Sequence, residues 1–457
     1  MKKLSLLDLI FFVVESEDSP KHVAGLLRCR KPPGSPRNYA RELVKELKTH
    51  DQLVEPFNLV IDFIGPLGPH WELAENVPID EHIFYHRPKR AISWHQALDL
   101  VAELHEPLMD RAKPLWEFHL IDNIRGSRFA IYIKMHHAYA DGMTMTSWFK
   151  RSFTESPEDL RIHPIWEMRP AKHSTSGGRS LLQSILRLPG QALEQGKMAG
   201  GIAKLTLQQL VERAGLTKNA VALLFNTGSD TPFTGSATPG RFLATSSLPL
   251  QDVKRLSAKT RSTLNHVALT CIDGAMHRYL DEIGYPVDHP VSIQMPVNLR
   301  RDDDSDGGNK LGIVLVDLAG PASDRWERHQ EIGFKLRNVK NQVFSVPGSS
   351  FEQFTIMIAG ISEVLEKLGL SDKLPGNGHT VVSNVPGPVR KLYIMGSEVE
   401  RMYPISTLAP GLRMNITLFS YADVLHFGIV ATQDMVSLQT LADCIVDEFR
   451  ELEHERG

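Results

Sequence analysis

Between Ser174 and Gly240 the chain changes character, and this interruption constrains the fold more than any other feature. Ser174 to Gly178 is polar and glycine-rich, Leu181 to Leu224 has a helical period broken at Pro189 and at Gly200-Gly201, and Thr227 to Gly240 is rich in Gly, Thr and Pro. On either side, short apolar runs alternate with helical periods, which is the pattern of α/β structure. The sequence therefore predicts two α/β domains, each a mixed β-sheet with flanking helices, over 1–175 and 241–457, joined by a helical connector over 176–240. A chain of 457 residues is long enough for this, since domains usually take about 100 to 200 residues.

In the first half, Leu98, Leu100, Val101, Leu104 and Leu108 mark a helix, and Phe129 to Met135 reads as a strand. In the second, strands are expected at Phe242–Leu248, Val291–Met295, Leu311–Leu318, Met414–Leu418 and Val424–Thr432, the last two joined as a hairpin through Ser420 to Asp423. The chain ends on an amphipathic helix with Ser437 as N-cap and Leu438, Leu441, Ile445, Phe449 and Leu452 on its buried face. Phe351 to Leu368 predicts another helix, apolar nearly all round and so expected to be buried.

Composition narrows the function classes. The 51 basic residues nearly balance 54 acidic ones, leaving a net charge of -3 and no global field to draw the chain to nucleic acid. Cys29, Cys271 and Cys444 are far apart with no CxxC spacing, which excludes a disulfide framework or zinc knuckle and fits a reducing, cytoplasmic setting. The apolar opening from Leu4 to Val14 is interrupted by Asp8 and followed by Glu15, Glu17 and Asp18, so it reads as a helix capped at Ser5 and not as a secretory leader. No run reaches the roughly 18 to 20 apolar residues of a membrane span.

Chemistry concentrates in Arg128 to Gly142, a strand pattern running into His136-His137-Ala-Tyr-Ala-Asp141-Gly142. Alternation places Phe129, Ile131, Ile133, Met135 and, by extension, His137 on one side, with Tyr132, Lys134 and His136 on the other. This aims His137 inward. An imidazole fixed at the end of a buried strand, with a carboxylate four residues on in an Asp-Gly turn, suits a general base, a role that contributes ~10² to 10⁴-fold in rate. The nucleophile would be a substrate hydroxyl, because no G-x-S-x-G elbow is present. A metal centre is not expected: adjacent strand residues point apart, and no H-E-x-x-H pattern or Cys partner accompanies the pair. A single histidine on a strand is more often a packed residue, and Asp141 could serve only as a turn former.

The complete string resembles the HHxxxDG signature of the chloramphenicol-acetyltransferase-like acyltransferases, which include peptide-synthetase condensation domains. Further segments narrow the resemblance: Met109 to Glu117 with Pro114-Leu115-Trp116, Met295-Pro296-Val-Asn298-Leu-Arg300, and Ser383-Asn384-Val-Pro386-Gly387-Pro388. In that order, and with the opening Leu4 to Asp8 and Pro20-Lys-His22-Val, they are similar to the bacterial wax ester synthase / acyl-CoA:diacylglycerol acyltransferase family. The resemblance implies two chloramphenicol-acetyltransferase-like α/β halves, with the catalytic histidine at their interface and a tunnel reaching it from each side. It also implies transfer of a fatty acyl group from acyl-CoA to a long-chain alcohol or diacylglycerol, with no cofactor beyond that co-substrate and no metal. By the same analogy His137 is the base beside His136, and Asp141 holds the loop through a basic partner, for which Arg300 is the candidate. Two positions depart from the family pattern: Asn265-His266 where Asn-Asp is common, and Pro20-Lys21-His22 where Pro-Met-His is.

Other expectations are attached to the same motifs. Gly142, Trp116, Ser383, Asn384 and Asn265 are candidate substrate-binding residues, with Ala359 and Gly360 leaving room for an alkyl chain in their helix. The alternatives are that Trp116 packs against the sheet and that Ser383-Asn384 only shapes a rigid turn. Arg300 and Arg390 are candidates for the phosphates of CoA. Basic residues interleaved with Leu and Ile between 179 and 224 would suit peripheral docking on a membrane or lipid-inclusion surface. The competing readings are a condensation-type or small-molecule acyltransferase of the same fold, and a non-catalytic lipid-binding protein.

Overall fold

The computed structural model describes residues 2–4, 6–65, 68–168, 204–207, 209, 224–227, 231–298, 311–321 and 324–456. Most of the expected connector lies outside these residues, as do Ser5 and Arg300. Among the described residues the strands are β1 Lys2–Lys3, β2 His22–Arg30, β3 Leu59–Asp62, β4 His70–Leu73, β5 Ile83–His86, β6 Trp116–Ile124, β7 Arg128–His136, β8 Arg241–Pro249, β9 Ser292–Asn298, β10 Leu311–Asp317, β11 Thr380–Pro386, β12 Tyr393–Ile394, β13 Ser397–Ile405, β14 Met414–Tyr421 and β15 Val424–Thr432. The helices are α1 Leu6–Val14, α2 Tyr39–Leu47, α3 Trp94–His105, α4 Gly142–Ser152, α5 Leu250–Lys259, α6 Leu264–Glu282, α7 Arg325–Phe344, α8 Gly348–Lys367 and α9 Leu438–Arg456. None of the described helices is long and apolar enough to cross a membrane.

Two mixed sheets of six strands organise the chain, in the orders β12-β13-β2-β7-β6-β5 and β10-β9-β11-β14-β15-β8, beside a small sheet β1-β4-β3. In the first sheet, β2 is antiparallel to β7, β7 to β6, and β6 parallel to β5. The second repeats that pattern, with β8 antiparallel to β15, β15 to β14, and β14 parallel to β11. The halves are nevertheless stitched together, because β12 and β13, which follow β11 in the chain, complete the first sheet through the β13–β2 pairing. Where β15 passes β13 the backbones nearly touch: a Cβ on Gly428 would lie 1.8 Å from the Pro404 carbonyl oxygen, so only glycine fits.

Strand β7 alternates between two cores and not between core and solvent. Phe129, Ile131, Ile133 and Met135 enter one core, while Ala130 and Tyr132 enter another against Leu98 and Val101 of α3. Both faces of the sheet are covered, so inward and outward lose their meaning along this strand. Helix α3 begins as its sequence dictates, with Ser93 accepting from the Gln96 N–H and the Gln96 side chain accepting from the Ser93 N–H in a capping box. The terminal helix α9 buries Leu438, Leu441, Ile445, Phe449 and Leu452 as expected. Ser437 precedes it at φ 52°, a left-handed backbone and not the extended one an N-cap uses.

The helix expected at Phe351 to Leu368 forms as α8 but is not the buried element its composition predicts. Met357, Ile361, Val364 and Leu368 are 43–65% exposed. They repeat at helical spacing, so one apolar stripe faces outward while Phe351 is buried.

Candidate active site

The His-His string folds as the end of β7 followed by a tight loop into α4. β7 ends at His136, whose N–H donates to the Leu115 carbonyl (3.0 Å), and the His137 N–H donates to the Lys21 carbonyl (2.8 Å). Tyr139 pins the loop from beneath, its hydroxyl donating to the Leu59 carbonyl and accepting from the Leu115 N–H. Pro114-Leu115-Trp116 thus frames the loop through the main chain of Leu115. Trp116, expected to touch substrate, is instead 1% exposed, stacked on His82 and Trp166, with its indole N–H donating to the Phe57 carbonyl (2.9 Å). Its size is used for packing.

The two histidines occupy different environments. His136 is 1% exposed, stacks on Phe12 at 4.2 Å between ring centroids, and accepts the Ala138 N–H on Nδ1 (3.2 Å). An accepting Nδ1 leaves the proton on Nε2, which faces Glu15 Oε1 at 3.5 Å. His137 is half-buried and stacks on Phe11 at 4.6 Å. Desolvation holds both imidazoles below their ordinary pKa; for His137, its own main-chain carbonyl and the Asp141 charge pull the other way. Among the described residues the His137 ring makes no hydrogen bond to another residue, which leaves it available to a reactant. The pair therefore divides into a locked imidazole and a neutral, reachable one.

Asp141 serves as N-cap of α4, its Oδ1 accepting from the Thr144 N–H at 2.8 Å. Among the described residues it has no basic partner within ion-pair distance. Gly142, the first residue of α4, lies against the second half: a Cβ there would be 3.2 Å from Val385 of β11. Alternation puts Ser383 on the same face of β11 as Val385 and Asn384 on the other. Ser383 Oγ donates to Thr417 Oγ1 (3.0 Å), while Asn384 donates to Asn265 at the start of α6. The loop that carries His137 and Asp141 thus leads into Gly142, which meets Val385 of β11, while the Asn384–Asn265 pair lies on the other face of that strand. Ala359 and Gly360 sit on α8, partly exposed, with open space where a Cβ on Gly360 would go. Arg390 is 78% exposed and pairs with Glu155.

A buried ionic cluster behind the dyad was not evident in the sequence. Glu15, just past α1, is 3% exposed in its side chain, accepts from Arg111 Nη2 (3.0 Å) and from the Lys21 N–H (3.1 Å), and lies 3.7 Å from His22 Nε2. Nδ1 of His22 donates to the His105 carbonyl, and desolvation lowers its pKa to about 3, so this ring is neutral. Arg111 also covers the Phe12 ring at 5.5 Å. In the sequence Glu15 served only as evidence against a leader peptide; its spacing after Phe11-Phe12, the pair that stacks on the histidines, was the available signal.

Both departures from the family pattern have compensating surroundings. Lys21 is 1% exposed and reaches across to Glu363 of α8 at 3.4 Å. His266 stacks on His329 at 3.8 Å, in space that Gly333 leaves open, since a Cβ there would be 2.4 Å from His266 Cε1.

Comparison with known proteins agrees with this architecture. Residues 4–268 match the model of the wax ester synthase/diacylglycerol acyltransferase catalytic domain and residues 307–453 that of the WS/DGAT C-terminal domain. The chain is 30% identical over 462 residues to the "Probable diacyglycerol O-acyltransferase tgs2" of Mycobacterium tuberculosis H37Rv, covering 98% of each. Among solved structures it superposes on a wax ester synthase/diacylglycerol acyltransferase from Marinobacter aquaeolei VT8 with a TM-score of 0.77 at 25% identity, all of both chains being covered. The first condensation domain of the CDA synthetase shares the fold at a TM-score of 0.60 and 13% identity, with 99% of this chain and 95% of that one covered.

Proposed function

Because the chain belongs to the wax ester synthase/diacylglycerol acyltransferase family and is thereby an acyltransferase, we propose that it carries a fatty acyl group from acyl-CoA to the hydroxyl of a long-chain alcohol or a diacylglycerol, with His137 as general base. Nε2 of His137 takes the hydroxyl proton as the oxygen attacks the thioester carbonyl. The tetrahedral oxyanion collapses, the C–S bond breaks, and the departing CoA sulfur takes the proton back from the imidazolium. Ester and free CoA are the products, with no covalent acyl-enzyme. Ser383, on the face of β11 that meets Gly142, supplies a hydroxyl that can rotate from Thr417 towards the oxyanion. Asn384 and Asn265 brace that strand. The two substrates enter from opposite sides of the junction, and the chain works at a membrane or lipid-inclusion surface. Acyl transfer needs a base that is uncharged at neutral pH and whose proton acceptor is not spent on the protein.

The observation that carries this reading is the division of the dyad: His136 is buried with Nδ1 occupied, whereas His137 is half-buried and held neutral by desolvation. The test offers palmitoyl-CoA with decanol, hexadecanol, diacylglycerol or an amino acceptor and follows free thiol. Thiol release dependent on the hydroxyl acceptors is expected. Release with the amine alone indicates a condensation-type enzyme, and no release with any acceptor indicates a binding protein.

A further inference from the structure

The hairpin β3–β4 carries a group that the acyl-transfer chemistry does not use. Asp62 and His70 face each other across the hairpin, and Glu72 lies two residues beyond His70 on the same face. One donor atom from each lies within 4.8 Å of the others, and Asp62 Oδ2 is 3.9 Å from His70 Nε2. Two of the three donors, His70 and Asp62, are oriented from behind. Nδ1 of His70 donates to the Gly68 carbonyl (2.9 Å), and since a carbonyl can only accept, the lone pair is on Nε2, facing the carboxylates. This is the outer-shell arrangement that prepares a metal-binding imidazole. Oδ1 of Asp62 accepts the N–H groups of Ile64 (2.8 Å) and Gly65 (3.1 Å), leaving Oδ2 turned to the histidine.

Gly65 keeps the space beside these donors clear: a Cβ there would be 2.5 Å from Asp62 Oδ2 and 2.7 Å from His70 Cε1. Among the described residues, neither Asp62 nor Glu72 has a Lys or Arg partner, so two carboxylates share a single imidazole. We infer that Asp62, His70 and Glu72 form a site for a divalent cation of the zinc class, separate from the acyl-transfer centre. One nitrogen and two oxygen donors suit that ion, with a fourth position left to water. Donor separations in a tetrahedral zinc site are roughly 3.3 Å, from bond lengths near 2.0 to 2.2 Å. Closing to that distance requires rotation of the exposed Glu72 side chain. Trp71, on the opposite face of β4, packs on Phe12 and Tyr139, so an ion clamping the hairpin would stiffen the wall beneath the His-His loop.

The test uses the untagged full chain, stripped with chelator and titrated calorimetrically with Zn²⁺, and in parallel with Mn²⁺ and Ca²⁺. One equivalent of Zn²⁺ is expected to bind and to raise the Tm of the wild type. Binding should weaken about 10-fold or more in His70→Ala and in Glu72→Gln, an exposed change that leaves the fold intact. Equal binding by wild type and Glu72→Gln, no binding at micromolar Zn²⁺, or a response to Ca²⁺ alone would each overturn the proposal. None of these readouts depends on acyl transfer.

Discussion

The two halves share a strand topology but end their corresponding hairpin strands differently. β7 and β15 each follow a tight hairpin, lie between equivalent neighbours and lead into a helix. β7 ends at His136 and is followed by His137, the two stacked on Phe12 and Phe11. β15 ends in Thr432-Gln433, with Gln433 exposed to solvent. The difference lies in what covers each strand end. α1 sets Phe12 and Phe11 against His136 and His137, whereas the second end buries Thr432 and leaves Gln433 exposed. A fold that occurs twice in one chain provides two corresponding strand ends, and only the first of them carries imidazoles.

The largest effect should come from breaking this asymmetry directly. His137→Ala is expected to lower the rate of acyl-CoA-dependent ester formation by ~10² to 10⁴-fold in a protein that still folds, the range of a lost general base. The corresponding change in the second half, Gln433→Ala, should leave that rate within about twofold, as an exposed substitution does. Comparable losses in the two variants would remove the distinction.

A second test concerns how the halves hold each other. Lys21→Met leaves the Glu363 carboxylate buried without its cation, and urea unfolding should register a loss of about 3 kcal/mol. Adding Glu363→Leu should restore most of it. If Lys21→Met alone is neutral, the ion pair does not join the halves as described.

A smaller effect is expected at the cap of α4. Asp141→Ala should cost about 1 kcal/mol of stability and Asp141→Asn much less, because asparagine caps as well as aspartate does. Equal losses in both would mean that Asp141 acts through its charge and not through the cap.

Much of this organisation was legible because periodicity reports burial. The strands β7, β8, β9, β10, β14 and β15 and the helices α3 and α9 follow their apolar patterns, and the motifs mark the loop after β7 and strand β11, which meet at Gly142 and Val385. What could not be read depended on partners distant in the chain. Alternation alone turns His137 inward and His136 away, but covering both faces of β7 buries His136, and the strand stops before His137. Trp116 reads equally as a ligand contact or a core residue until Phe57, His82 and Trp166 are placed around it. Helix α8 has a core composition but an exposed stripe, and nothing local distinguishes the two. Glu15 and Arg111 lie almost a hundred residues apart, so their joint contact with His136 and Phe12 exists only in three dimensions.

The central claim is that a desolvated, neutral imidazole at position 137 takes the acceptor's proton, and the pH dependence of kcat/KM tests it most directly. Desolvation lowers the pKa of His137, so the active neutral form persists through neutral pH and is lost only as acid protonates the ring. The profile should therefore be flat at pH 7, with an acid limb whose midpoint falls below the ordinary imidazole value of about 6.5. Asp141→Asn, which removes the charge favouring protonation, should move that limb further towards acid. A midpoint above the ordinary imidazole value, or a limb that moves towards alkali in the Asn variant, would contradict the account.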